Sequence, residues 1–149
     1  MAGRGWIALG ALMAGLSVAL GALAAHGLDG FFAGKYAHAE PRKVAGVDVP
    51  ASQKYLADFK TAAEYQMTHA LGMIGVGLLI RQKKSGLLTL AGWAFLIGIL
   101  LFSGFLYALT LTGQRWMGAI VPIGGVSFLV GWGAMVLGAL SLKNSEIQG

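Results

Sequence analysis

Four apolar runs dominate the chain: Trp6 to Leu28, Ala62 to Ile80, Gly86 to Leu111 and Pro122 to Leu142. Each approaches or exceeds the ~20 residues that carry an α-helix across a ~30 Å hydrocarbon core. Each is also apolar around its whole circumference, which a surface helix of a water-soluble fold is not. Only 11% of the 149 residues are charged, against about a quarter in soluble domains. The expected fold is therefore all-α, a single membrane domain over residues 1–149 built as a bundle of four transmembrane helices. The first run also fits the outline of a signal peptide, with Arg4, an apolar core and then Ala22-Leu23-Ala24. Its apolar stretch exceeds the ~7–15 residues of a signal core, so it is read as a helix.

Composition removes several classes of function. With no cysteine there is no disulfide, thiolate metal site or cysteine nucleophile. The net charge of +5 comes from Lys and Arg scattered between apolar runs, with no stripe of interleaved aromatics, so a nucleic-acid partner is not expected. These charges fit membrane orientation better. Arg81, Lys83 and Lys84 crowd the short turn between the second and third runs, on the same side as Arg4 and Lys143. Lys35, Arg42, Lys43, Lys54, Lys60 and Arg115 lie on the other side, mostly spread through one long connection. Charge density near the span ends places both termini in the cytoplasm of a cell whose inner membrane holds the protein.

That connection, residues 29–61, is long enough to need structure of its own. Tyr55, Leu56 and Phe59 share one face of SQKYLADFK, with Lys54, Asp58 and Lys60 elsewhere around the wheel. The segment reads as an interfacial amphipathic helix, or equally as a helical extension of the second span into water. Phe31, Phe32 and Tyr36 are expected at headgroup level.

In an antiparallel bundle, the polar residues of the spans collect toward one leaflet. They are His26, then Tyr65, Gln66 and His69, then Ser103 and Tyr107, and finally the helix-start group Pro122, Gly124 and Gly125. Tyr65 and His69, and likewise Ser103 and Tyr107, are four apart and share a helix face. Turned toward lipid, such groups stay unsatisfied at several kcal/mol each. They are expected to face inward and bond to one another, His69 to Tyr107 or Ser103. His26 ends a helix, where the dipole and free carbonyls favour it, and Glu64 is expected in water. Pro122 with the two glycines reads as a helix start or as a broken helix offering its N-terminus to an anion.

Small residues mark helix contacts. Ser17, Gly21 and Ala25 form a ladder at spacing four in the first span, and Ala94 with Gly98 does so in the third. Three functions are weighed. The leading one is a non-enzymatic accessory or scaffold subunit, surrounded by lipid and packing against copies of itself or a larger membrane complex. The second is a small transporter or channel subunit using the His, Gln, Tyr and Ser cluster, although no inverted repeat is evident. The third is a haem-binding or other membrane enzyme subunit. Its two histidines sit at depths roughly 8 Å apart at 1.5 Å per residue, and no cofactor or metal is expected. No catalytic triad, phosphate-binding loop or carboxylate pair lies in the spans.

The ordered motifs GALAAHGL, EYQMTHALG, GILLFSGFLYALTLTG and GAIVPIGGVSFLVGW resemble the small four-helix membrane family catalogued as domain of unknown function 423, whose eukaryotic relatives are known as transmembrane protein 256. The first motif of that family usually reads Gly-Ala-Phe-Gly-Ala-His-Gly-Leu, with Leu23 and Ala24 replacing Phe and Gly here. Thr68 stands for a second tyrosine in the second motif, and Phe105 for a second serine in the third. The resemblance implies a four-span fold and no particular activity. Residues 33–54 look like an insertion relative to that pattern.

Overall fold

The computed structural model describes residues 2–143, with side chains through Ser141; Lys143, counted above as a basic residue near a span end, has its side chain outside the described residues. Helix α1 runs Gly3–His26, breaks at Gly27, and passes to the short α2, Leu28–Lys35. A small antiparallel hairpin follows, β1 Arg42–Val44 with β2 Val47–Val49, paired Val44 to Val47. Its two-residue turn is Ala45-Gly46, both at positive φ (49° and 85°), the twist that suits a tight hairpin. Helix α3, Ala51–Gln82, is unbroken, and Lys83-Lys84-Ser85 turns the chain into α4, Gly86–Gly98. A π-helical turn over Ile99–Gly104 joins α4 to α5, Phe105–Thr112; a 3-10 turn, Arg115–Ala119, leads to α6, Val121–Lys143.

Among the described residues, three helical stretches can cross a membrane by length and composition: Gly3–His26, Gly86–Thr112 and Arg115–Ser141. Helix α3 falls short of that measure because Glu64, Gln66 and His69 dilute its apolar run. Segment Ser52–Lys60 is not a separate helix lying on a surface; it forms the first turns of α3. Its aromatic face is covered from within the chain, with Tyr36 and Tyr55 rings 4.3 Å apart and Phe32 and Phe59 rings 6.4 Å apart. Of the aromatics expected at headgroup level, Phe31 is exposed while Phe32 is buried.

Two antiparallel pairs make the bundle, α1 with α3 and α4 with α6, and α3 also packs on α4, the π turn and α5. Small residues seven apart line the contacts, the repeat that left-handed helix packing demands. On α1 they are Gly3, Gly10, Ser17 and Ala24, all buried; on α3 they are Ala63, Ala70 and Gly77. A Cβ at Gly10 would lie 2.7 Å from the Ala70 carbonyl oxygen, and one at Gly77 would lie 2.6 Å from that of Gly3. Backbone thus meets backbone. The other pair repeats the device with Gly124, Gly131 and Gly138 of α6, where a Cβ would collide with Phe102, Phe95 and Leu88 respectively. The main core, including Trp6, Met73, Leu88, Phe95 and Phe128, fills the space between the pairs.

Candidate functional site

Gln66, buried on α3, is the centre of the polar group. Its amide Nε2 donates to the Met13 carbonyl of α1 at 2.8 Å, and its Oε1 accepts from the Tyr107 hydroxyl of α5 at 3.1 Å. Both halves of the amide are occupied, so the amide orientation follows from the network. The line continues outward: Thr110 Oγ1 donates to the Tyr107 carbonyl at 2.9 Å, and Tyr36 Oη donates to the Thr110 carbonyl at 2.7 Å. Burial chiefly, with Tyr55 adding to it, pushes the Tyr36 phenol above its usual pKa and keeps it a donor. One polar line therefore ties α1, α3 and α5 to Tyr36, the residue that follows α2. Ser17 Oγ adds a second tie between α1 and α3 by donating to the Ala63 carbonyl at 2.7 Å. Most of these bonds end on backbone carbonyls, a common use of small polar side chains between packed helices.

His69 is buried but bonds to neither Tyr107 nor Ser103. Its Nδ1 donates to the Tyr65 carbonyl of its own helix at 2.6 Å, which in the neutral ring leaves Nε2 the acceptor. The ring stacks on Phe128 of α6 at a centroid distance of 3.4 Å and 8° between planes. Phe95 and Trp132 stand 5.7 and 5.9 Å away. The i, i+4 spacing did place Tyr65 beside His69, yet Tyr65 is 43% exposed and stacks on Phe102 at 4.5 Å. An imidazole inside an aromatic cage has replaced the expected interhelical bond.

Ser103 is fully buried, and its Oγ has no partner. It sits in the π turn while Tyr107 sits in α5. The Tyr107 hydroxyl donates to Gln66 instead, so the four-residue spacing brings no bond between the two. His26 is exposed at the end of α1, apart from the buried His69, and among the described residues no cluster of three metal-ligating side chains occurs. Pro122 lies in the first turn of an unbroken α6, with Gly124 buried and Gly125 half-buried, which is the helix-start geometry. Gly98 packs under Phe128, and the buried Ala94 offers its carbonyl to Ser127 Oγ at 2.8 Å. The four-residue ladder on α1 is different. Ser17 is buried, but Ala25 is exposed and a Cβ at Gly21 would meet nothing within 4 Å.

Sequence reasoning missed the seven-residue ladder, although its Gly, Ala and Ser positions are visible in the chain. It also missed the cage, since Phe95, Phe128 and Trp132 look like ordinary apolar residues in their runs. A cleft of about 290 Å³ opens between α1 and the π turn, walled by Met13, Leu16, Ile99 and Leu100 with Gln66 and Tyr107 inside.

Long apolar helices tied by buried polar bonds define a small membrane protein with transmembrane helices, and nothing in its site specifies a reaction. The chain belongs to the family described as Protein of unknown function (DUF423), whose model matches residues 20–125. It is 41% identical over 135 residues to a UPF0382 membrane protein of Staphylococcus epidermidis, covering 91% of this chain and 94% of that one. It is 41% identical over 137 residues to the UPF0382 membrane protein YwdK of Bacillus subtilis, covering 91% and 95%. Similarity to the UPF0382 inner membrane protein YgdD of Escherichia coli is 36% over 89 residues, covering 60% and 68%. No solved structure matches the chain.

Proposed function

We propose that the protein is a non-enzymatic accessory subunit that crosses the membrane four times and associates with copies of itself or a larger membrane complex through the outer face of α1. One observation carries this reading. Ala8, Ala11, Gly15, Ala19 and Ala22 form a continuous exposed stripe opposite the buried face of α1, and a Cβ at Gly15 would meet nothing within 4 Å. Exposed large residues, Leu12 and Val18, flank this stripe on α1, and Ile123, Val126, Leu129 and Leu137 are exposed on α6, as lipid contact favours. Small residues facing outward at spacing three and four let another helix approach closely. The four-residue ladder thus moves from Ser17, Gly21 and Ala25 to Ala11, Gly15 and Ala19.

Helix α3 is taken as the remaining span over Ala62–Ile80. It packs along α1 from Gly3 opposite Gly77 to Ser17 bonded at Ala63, so it shares the slab of its neighbour. Four spans bring the end of α6 back to the side where α1 begins, and the dense Arg81, Lys83 and Lys84 turn supports a cytoplasmic location for that side. A transporter reading has less support, because Gln66 and Tyr107 in the cleft already satisfy each other.

The test is Gly15→Leu in the full-length protein, followed by native mass measurement in mild detergent. Loss of assembly with unchanged helix content supports the reading, and assembly identical to wild type overturns it. For topology, the absence of native cysteine makes Asp48→Cys a clean reporter that avoids the positive-φ turn. Labelling by an impermeant thiol reagent in spheroplasts is the expected result; labelling only after lysis reverses the orientation.

A further inference from the structure

The geometry points to a binding site for a phosphate-bearing anion at the membrane surface, built by the hairpin insertion together with α3 and the 3-10 turn. Four cationic side chains from three separate segments line one concavity of about 420 Å³: Arg42 and Lys43 from β1, Lys54 from α3, and Arg115 from the 3-10 turn. Two carboxylates, Glu40 and Asp58, share the lining. Asp58 is committed to Lys54, its i, i+4 partner, and that is the one ion pair among the described residues. Arg42, Lys43 and Arg115 are therefore without a carboxylate partner, and the concavity keeps an excess of positive charge. The Arg42 guanidinium stands over the Tyr55 ring, 5.5 Å from its centroid. Such stacking holds the guanidinium plane in place while leaving its N–H edge free to fork onto an oxyanion.

The depth of the site identifies the chemistry further. Its apolar side is Leu109, three residues before the end of α5, so the concavity straddles the end of an apolar helix. Trp116, 59% exposed, lies one residue beyond Arg115 with its indole N–H on Gln114 at 2.7 Å. An exposed tryptophan with a satisfied N–H beside the end of a transmembrane stretch marks the headgroup level of a bilayer. Cations at that level meet phosphate groups, either the phosphodiester of an anionic lipid or a free phosphate ester from the aqueous side. An insertion that brings Arg42 and Lys43 back over the helix ends has a function in this arrangement that a plain connecting loop lacks.

The experiment uses the full-length protein in mild detergent, with retained lipid read by native mass spectrometry after exposure to phosphatidylglycerol and phosphatidylethanolamine in equal amounts. A second arm titrates glycerol 3-phosphate without lipid. The test variant is Arg42→Gln with Arg115→Gln. A charge-matched control, Lys35→Gln with Lys60→Gln, removes two exposed cations of the same connection that do not line the site. Each cation that contacts the bound headgroup contributes about fivefold to its binding, and one that does not line the site contributes little. The test variant is expected to lose about thirtyfold in phosphatidylglycerol retention, and the control to stay within about twofold of wild type. Arg42→Lys with Arg115→Lys keeps the charge but not the stacked fork and is expected to recover only part of the loss, and unchanged helix content by circular dichroism in every variant separates binding from a folding defect. Variant-sensitive retention of lipid alone assigns the site to a headgroup, and variant-sensitive binding of glycerol 3-phosphate assigns it to a soluble ester. Equal losses in test and control variants, or no loss in either arm, overturns the proposal.

Discussion

Gly77→Ala adds one methyl group at the closest point between α1 and α3. The new Cβ would stand 2.6 Å from the Gly3 carbonyl oxygen, 2.7 Å from Ile7 Cγ1 and 2.9 Å from the Ile7 amide nitrogen. Two of those atoms are backbone and cannot rotate away, so the helices must separate along a face where they are in contact over most of their length. Overpacking of this kind typically costs about 1–3 kcal/mol. Against it stands the helix propensity of alanine, about 0.8–1.0 kcal/mol better than glycine. With backbone atoms at 2.6 and 2.9 Å the steric term falls in the upper part of its range, about 2–3 kcal/mol, so it wins and the expected net loss is about 1–2 kcal/mol. Gly21→Ala is the internal control, since its Cβ would meet nothing within 4 Å and only the propensity gain remains. The two substitutions are thus expected to change stability in opposite directions. Reversible unfolding in mixed micelles, followed by helix content as the denaturing detergent fraction rises, reads both. A Gly77→Ala protein as stable as wild type would refute the reading of this contact.

Other substitutions probe the polar tie and the cage. Gln66→Leu removes bonds to Met13 and Tyr107 together and is expected to lower stability by about 1–2 kcal/mol, against about 0.6 kcal/mol for Tyr107→Phe; a double-mutant cycle in the same unfolding assay with no coupling between them argues against the 3.1 Å bond. His69→Leu loses both the Nδ1 bond to the Tyr65 carbonyl and the stack on Phe128, so about 1–2 kcal/mol is expected. If His69→Phe, which restores an aromatic face, is no more stable than His69→Leu, stacking is not what holds the ring. Ser103→Ala deletes a buried hydroxyl without a partner and is expected to be neutral or stabilising by up to about 1 kcal/mol. A loss larger than that in thermal unfolding means the hydroxyl has a bonding partner after all.

The membrane class was legible because an apolar run of membrane length has few other outcomes, and because four motifs in order matched a family. The face of each polar residue was also partly legible: Gln66 and His69 do turn inward, as three-residue spacing on a helix implies. Their partners were not. Helical periodicity specifies an angle around one axis and says nothing of the offset between two axes, so Tyr107 met Gln66 while His69 met Phe128. Ser103 and Tyr107 keep the four-residue spacing without bonding, since the Tyr107 hydroxyl is taken up by Gln66 on another helix. The choice of ladder on α1 shows the same division. Spacing four and spacing seven both occur in the chain, but only the approach of α3 selected Gly3, Gly10 and Ser17 and turned Gly15 outward. Small residues permit close contact; which of them receive it depends on where the neighbouring backbone lies. For the hairpin connection the gap is widest, since Arg42, Lys54 and Arg115 are scattered in sequence and share a concavity only after the hairpin folds back over the end of α5. Local spacing along one helix is written in the sequence, whereas convergence of charges from separate segments exists only once the tertiary fold has set the segments side by side.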